Sequence, residues 1–338
     1  YKRQIVARKE TVMKHSTLKL TMLAALGLTA TQASALGLVA LPDTGFSSSA
    51  YTSCYNDGRV VPPSTADDVK GNFGSYPIAS ANQPSTTKNN TCYVAPPSSE
   101  ASSPVSGYLP AGSRTTDITS DGEVIGTLVD KVWRNSAKTM CIFGTRVTMI
   151  NEDHDSSKSG VQYFEINDIA RGGFADSGTV NVGYTIFSTT GNTSPVYRVG
   201  RTFTSVQHRA YKYDTLANKE LNGTNYLDLP TKNSVTAAIT GENTPIDATT
   251  AASTTLATQD AVVNSNWVDF TADTVYADDD GSTNALSGFT YIEAPCDSSS
   301  PSTWVKTGAI RLRQTAQEET TFKELSLDGY APPGATVP

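Results

Sequence analysis

Charge is scarce in this chain: Asp, Glu, Lys and Arg make up 17% of its 338 residues, and only three are histidine. A composition this thin in titratable groups leaves little from which to assemble an acid, a base and a nucleophile. No Gly-x-Ser-x-Gly elbow occurs, which excludes the hydrolase nucleophile that such a turn presents. Gly172 and Gly173 are not followed by Gly-Lys-Ser/Thr, so a phosphate-cradling loop is excluded as well. No two of the four cysteines are close in sequence, and His154 and His208 alone could assist them, which argues against a zinc site. Long apolar runs are also missing. The run from Leu20 to Ala30 is too short for a helix across about 30 Å of hydrocarbon. After residue 35 no stretch holds a helical apolar period with caps at both ends.

What is present begins with targeting. Residues 1–12 precede Met13 and read as translation from upstream of the true start, so they are set aside from the fold. From Met13 come the basic Lys14 and Lys19, the apolar run, and the small residues Ala33, Ser34 and Ala35. That order predicts a secretory signal peptide over 13–35, cleaved after Ala35. Cys54 lies too far on for a lipoprotein, and the tail at 331–338 offers no apolar helix. The mature chain is therefore expected to be soluble, without a transmembrane anchor, and periplasmic or extracellular. Cleavage leaves 20 Lys/Arg against 32 Asp/Glu, a formal charge of −12. Such a surface repels phosphate and anionic lipid, so nucleic acid is not an expected partner.

An even cysteine count in an exported chain predicts two disulfides. Three pairings are open. Cys54 with Cys92 and Cys141 with Cys296 is favoured, because the first two share a loop-rich segment and the last two lie in strand-like segments. Composition shifts near residue 115. Residues 36–115 carry Pro62, Pro63, Pro96, Pro97, Pro104 and Pro110, and read as an irregular, disulfide-tied N-terminal region with a linker from Val94 to Ser113.

Residues 116–330 read as short alternating segments bounded by turn residues: Gly122 to Trp133, Met140 to Ile150, Val161 to Ile166, Val180 to Phe187, Val196 to Phe203, Trp267 to Tyr276, Phe289 to Glu293, Ala309 to Gln314 and Glu324 to Leu327. Strands without intervening helices predict an all-β fold, an antiparallel β-sandwich with a loop-rich N-terminal region. A Thr/Ala-rich stretch at 231–264, including Thr249 to Thr255, has mostly methyl-sized side chains and reads as a surface insertion.

The candidate chemistry is local. Asp278, Asp279 and Asp280, followed by Gly281, could ligate calcium through oxygen, but they lack the alternate spacing of a calcium loop and fit an acidic hairpin tip better. His154, among Asn151, Glu152, Asp153 and Asp155, is a base without an evident nucleophile. His208, Arg209, Tyr211, Lys212 and Tyr213 interleave base and aromatic groups suited to sugar rings or to the outer face of a strand. Trp133, Trp267 and Trp304 are divided between core and that same use. Paired glycosidase carboxylates could sit anywhere among the acids.

The phrase Gly126, Thr127, Leu128, Val129, Asp130, Lys131, Val132, Trp133, Arg134, then Phe143, Gly144, Thr145, Arg146, and the closing Arg311, Leu312, Arg313, Gln314, Thr315, Ala316, Gln317, Glu318, resembles the choice-of-anchor group of exported bacterial proteins, type F. The resemblance covers Gly122 to Tyr330, interrupted by the Thr/Ala-rich stretch. It implies a secreted or surface β domain without an assigned activity, whose relatives differ in how their C-termini attach to the cell. It carries no functional residues across, and the sequence here ends without a sorting tail. The leading expectation is a non-enzymatic structural or interaction protein whose partner is a surface glycan or an envelope protein. A carbohydrate-binding module would show two or three coplanar aromatics exposed on one sheet face, with Tyr211 and Tyr213 as candidates, and a secreted hydrolase a deep cleft with two facing carboxylates or a histidine beside a nucleophile.

Overall fold

Period-two alternation of apolar and polar side chains gives a strand one face to bury and one to expose, and strands of this kind frame the fold, while Ile166–Gly172, Val180–Thr185, Trp267–Thr274 and Phe289–Pro295 are buried on both faces. The computed structural model describes residues 37–54, 92–187, 193–206, 213–214, 219–220, 229–233, 260–278, 283–315 and 322–338, all within the compact unit Ala35–Pro338. In chain order the strands are β1 (Val39–Leu41), β2 (Tyr51–Ser53), β3 (Tyr108–Ser120), β4 (Glu123–Asn135), β5 (Met140–Met149), β6 (Ile166–Gly172), β7 (Val180–Thr185), β8 (Thr193–Ser194) and β9 (Arg198–Gly200). There follow β10 (Tyr213–Asp214), β11 (Lys219–Glu220), β12 (Thr231–Asn233), β13 (Asp260–Val262), β14 (Trp267–Thr274), β15 (Leu286–Ser287), β16 (Phe289–Pro295), β17 (Val305–Thr315) and β18 (Phe322–Tyr330). Among the described residues no helix is long and apolar enough to cross a membrane.

Two sheets form the sandwich. The eight-stranded sheet runs β1-β7-β16-β5-β15-β8, with β4 also on β5 and β3 on β4. The six-stranded sheet runs β18-β17-β6-β14-β9-β2. Pairing within both is antiparallel except for β15 with β8. The β3–β4 hairpin closes on Asp121 and Gly122, both with positive φ (51° and 98°), the Asp-Gly pair that a two-residue hairpin turn favours.

The core lies between the sheets. Val132, Phe143, Val182 and Ile292 meet Val199, Val268 and Phe270 in one cluster, and Leu128 and Val147 meet Ile169, Ile310 and Leu312 in another. The disulfides join Cys54 to Cys92 and Cys141 to Cys296, with Cα atoms 5.0 and 5.7 Å apart. Cys141–Cys296 staples neighbours in one sheet, since Cys141 lies opposite Ala294. Cys54–Cys92 is different: it links the end of β2 in the six-stranded sheet to the residue before Tyr93, which bridges to Tyr184 of β7 in the other.

Three sequence expectations shift. The change of composition near residue 115 falls inside β3, and β1 and β2, from the segment read as irregular, pair into the two sheets. The strand expected at Val161 to Ile166 begins instead at Ile166, because Asn167, Asp168 and Arg171 disguise a buried strand as a turn. Within 231–264, Thr231–Asn233 and Asp260–Val262 pair in parallel and Ala261 is buried; residues 234–259 lie outside those described.

Candidate functional site

A strand buried on both faces normally carries few charges, and the six-stranded sheet breaks that rule. The register places Glu324, Arg313, Asp168 and Thr271 in one cross-strand row, on β18, β17, β6 and β14. The next row holds Arg311, Ala170, Asp269, Gly200 and Tyr51. Side chains alternate, so these residues share the face away from Ile169, Leu312 and Phe270. That outer face is nonetheless sealed: Asp168, Asp269 and Arg313 are each 0% exposed. The cover includes the segment 201–206, whose Phe203 carbonyl accepts a hydrogen bond from Arg313 at 2.8 Å and whose Ser205 hydroxyl donates to Asp168.

Arg313 is the hub. Its Nε donates to Glu324 at 2.8 Å, its guanidinium lies 3.7 Å from Asp168, and it stacks 4.0 Å from the centre of the Phe203 ring. Tyr51 reaches the cluster across Gly200, where an added Cβ would come within 2.7 Å of the tyrosine ring. Its hydroxyl meets both the Thr204 carbonyl, at 2.8 Å, and the Asp269 carboxyl. The phenol has one proton to give, which the Thr204 carbonyl and the Asp269 carboxyl share as acceptors. Burial above all pushes the Asp269 carboxyl up to about 6, with Arg313 and the Tyr51 hydrogen bond pulling the other way. Asp168 is pushed well up by burial and then by the neighbouring Asp269 charge. Tyr51 is raised by burial first and Asp269 second.

A second ionic group lies in the core itself. Arg171 pairs with Asp130 across the sheets at 3.0 Å, and donates to Thr145 at 2.6 Å and to the Tyr330 carbonyl at 2.5 Å. The Tyr330 amide returns a 2.6 Å bond to Asp130. Burial raises the Asp130 carboxyl, and Arg171 opposes it.

Chemically, two carboxyls and a phenol around one guanidinium have the makings of proton transfer, but a substrate needs a way in, and these groups are closed over. What the arrangement does is fasten β2 and the segment 201–206 to the sheet.

The residues singled out from sequence are scattered by comparison. Asp278 is half-buried beyond β14, and Asp279 and Asp280 lie outside the described residues, so the calcium turn does too. Among the described residues no group of three or more His, Cys, Asp or Glu is placed to hold a metal ion. His154 is buried, packed edge-on against Phe164 at 5.3 Å. His208, Arg209, Tyr211 and Lys212 lie outside the described residues; Tyr213 pairs through its backbone with Glu220. All three tryptophans are buried. The cluster went unread because Asp168, Asp269 and Arg313 are far apart along the chain. The available signal was a charge flanked by apolar neighbours inside a strand, as at Val268-Asp269-Phe270 and Leu312-Arg313. No family model, curated protein or solved structure matches the chain.

Proposed function

We propose that the chain is an exported, non-enzymatic structural or interaction protein of adhesion or matrix type, acting on a surface glycan or an envelope protein. The observation that carries this reading is the closure of the ionic cluster: among the described residues, Asp168, Asp269 and Arg313 hold β2 and the segment 201–206 to the sheet and are sealed from solvent. Two disulfides suit an oxidising compartment, where such bonds persist. The resemblance to the choice-of-anchor group points the same way.

The test is direct. The chain, produced in an oxidising compartment, is mixed with envelope fractions and insoluble polysaccharides and sedimented, while glycoside, ester and peptide substrates are assayed in parallel. Co-sedimentation without turnover is expected. Turnover that vanishes in Asp269→Asn, in a variant that stays folded, would overturn the reading in favour of a hydrolase.

A further inference from the structure

The two disulfides differ in what a thiol from solution can reach. Cys54 and Cys92 are each 1% exposed, and Cys141 is fully buried. Cys296 is the exception. It is only partly buried, it follows the exposed Pro295, and Asp297, Ser298, Ser299 and Ser300 after it are all exposed. Across from it lies the exposed turn 136–139 between β4 and β5, because the Cys296 amide donates to the Thr139 carbonyl at 2.9 Å. One cysteine of the four therefore sits between two solvent-facing turns.

Thiol–disulfide exchange needs a thiolate attacking one sulfur and a thiolate leaving from the other. With Cys296 as the sulfur attacked, Cys141 is the leaving group, and apolar surroundings alone would make it a poor one. The register supplies a cation. Cys141 stands directly opposite Arg134, and opposed residues on antiparallel neighbours share a face. The Arg134 guanidinium is held by the loop that follows Cys296: its Nη1 donates to the Asp297 carbonyl at 3.1 Å and to the Ser299 carbonyl at 2.8 Å, and the group lies 5.7 Å from the centre of the Trp304 ring. Trp304 belongs to the same core cluster as Cys141, with Cys296 packed against it. An arginine beside a nascent thiolate makes its charge less costly.

Breaking this bond leaves the sheet paired. The ladder between β16 and β5 runs from Thr290 opposite Thr145 to Pro295 opposite Met140, and the hydrogen bond from Cys296 to Thr139 continues it. The two thiols stay neighbours, so the bond can close again without refolding. Cys54–Cys92 joins the two sheets instead and has no ladder beneath it.

We propose that Cys141–Cys296 is a thiol-exchange site, at which a thiol-bearing partner becomes disulfide-linked to Cys296. The partner thiol gives up its proton and its thiolate attacks Cys296 Sγ; the bond between the two Sγ atoms breaks, and Cys141 departs as a thiolate beside Arg134. Return attack by Cys141 on the mixed disulfide releases the partner thiolate and restores the original bond, so no further oxidant or reductant enters. Exchange of this kind needs neither a glycan nor an envelope ligand and is independent of the interaction reading.

The probe is cysteamine, a cationic thiol that the neighbouring Asp297 carboxylate does not repel. The full chain is treated without denaturant, quenched in acid, alkylated and mapped by peptide mass spectrometry. Cys141–Cys296 should open at least about tenfold faster than Cys54–Cys92, with cysteamine on Cys296 and the alkyl group on Cys141. Equal rates, faster opening of Cys54–Cys92, an adduct on Cys141, or resistance of both bonds until the chain unfolds would each overturn the site. The direction of attack has its own check: the thiol left in Cys141→Ala should react with cystamine, and the thiol left in Cys296→Ala should not; the reverse order overturns the assignment. Arg134→Lys keeps the charge and should be opened severalfold faster than Arg134→Met, whereas equal rates in the two would remove Arg134 from the exchange and leave it a clamp on the loop.

Discussion

Over the eight-stranded sheet the segment 95–107 rests on Trp133, Phe289 and Tyr291; over the six-stranded sheet the segment 201–206 rests on Asp168, Asp269 and Arg313. Both sheets thus have an outer face closed by irregular backbone, yet they are held by different physics. Beneath the first cover, stability scales with apolar area and is non-directional, so polar contacts at its rim can be altered one at a time. Beneath the second, Asp168, Asp269 and Glu324 share the one guanidinium of Arg313, and removing it leaves buried carboxyls without compensation. The aromatic face tolerates change contact by contact; the ionic face works as one unit.

The largest effect should follow from breaking that unit at its hub. Arg313→Met keeps much of the volume but leaves Asp168 and Glu324 unneutralised, and should lower unfolding free energy by about 3–5 kcal/mol in urea titration. A loss under about 1 kcal/mol would mean that the carboxyls are already neutral or hydrated, and the contrast between the faces would collapse. Next comes the disulfide that joins the two regions, since Cys54 directly follows β2 and Cys92 lies at the root of the segment 95–107. Replacing both cysteines by serine should cost about 2–4 kcal/mol, read from thermal unfolding against the natural chain.

Proton linkage should separate the faces more finely. Asp269, ordinarily at 3.8, is pushed up to about 6 in the folded chain. The folded state therefore holds more protons than the unfolded one between those values, and stability falls as pH rises from about 4 to about 6. Below the unfolded value the contribution is fully present; above the folded value it is gone. Asp155 and Asp297, held low by hydrogen bonds from Ser157 and Ser299, act below 3.8, whereas the buried Asp168 and Asp130, also raised, add to the decline with the same sign. Melting temperatures from pH 4 to 7 should decline by a few degrees, and Asp269→Asn should flatten the decline. The same slope in the Asn variant would assign the linkage elsewhere.

The unequal legibility of the sequence has the same physical root. Met140–Met149 and Phe289–Pro295 were readable as strands because apolar side chains recur at period two or in short runs. The edge strand Tyr108–Ser120 was not: among the described residues it pairs with β4 alone, alternate side chains are exposed, and Pro110 and Gly112 flank an irregularity in its register with β4. The ionic face was hidden because Asp168, Asp269 and Arg313 meet only through the pairing of β17, β6 and β14, and pairing is a property of the fold rather than of any window of sequence. The two cysteine pairs were easier, since each pair lay in segments of one kind. The aromatic surface was half visible: Trp133 stood out, but its partners Phe289 and Tyr291 come from a distant strand that reads as ordinary core.

The smallest energetic effect is the sharpest test of the comparison. Arg146 and Glu100 keep 15% and 30% of their side-chain surface, so their pairing is solvent-screened and Glu100→Gln should cost only about 0.2–1 kcal/mol. If the cover over the aromatic face is held by independent rim contacts, that loss should appear locally, as faster amide exchange within 98–106, while β4, β5 and β16 stay protected. The matching substitution on the other face, Ser205→Ala, removes a single hydroxyl from Asp168 and should instead speed exchange in β6 and β14 along with the segment 201–206. Equal, local responses on both faces would mean that the charges of the six-stranded sheet do not act as a unit. A spread confined to the ionic face means that one cover is held contact by contact and the other is part of the wall.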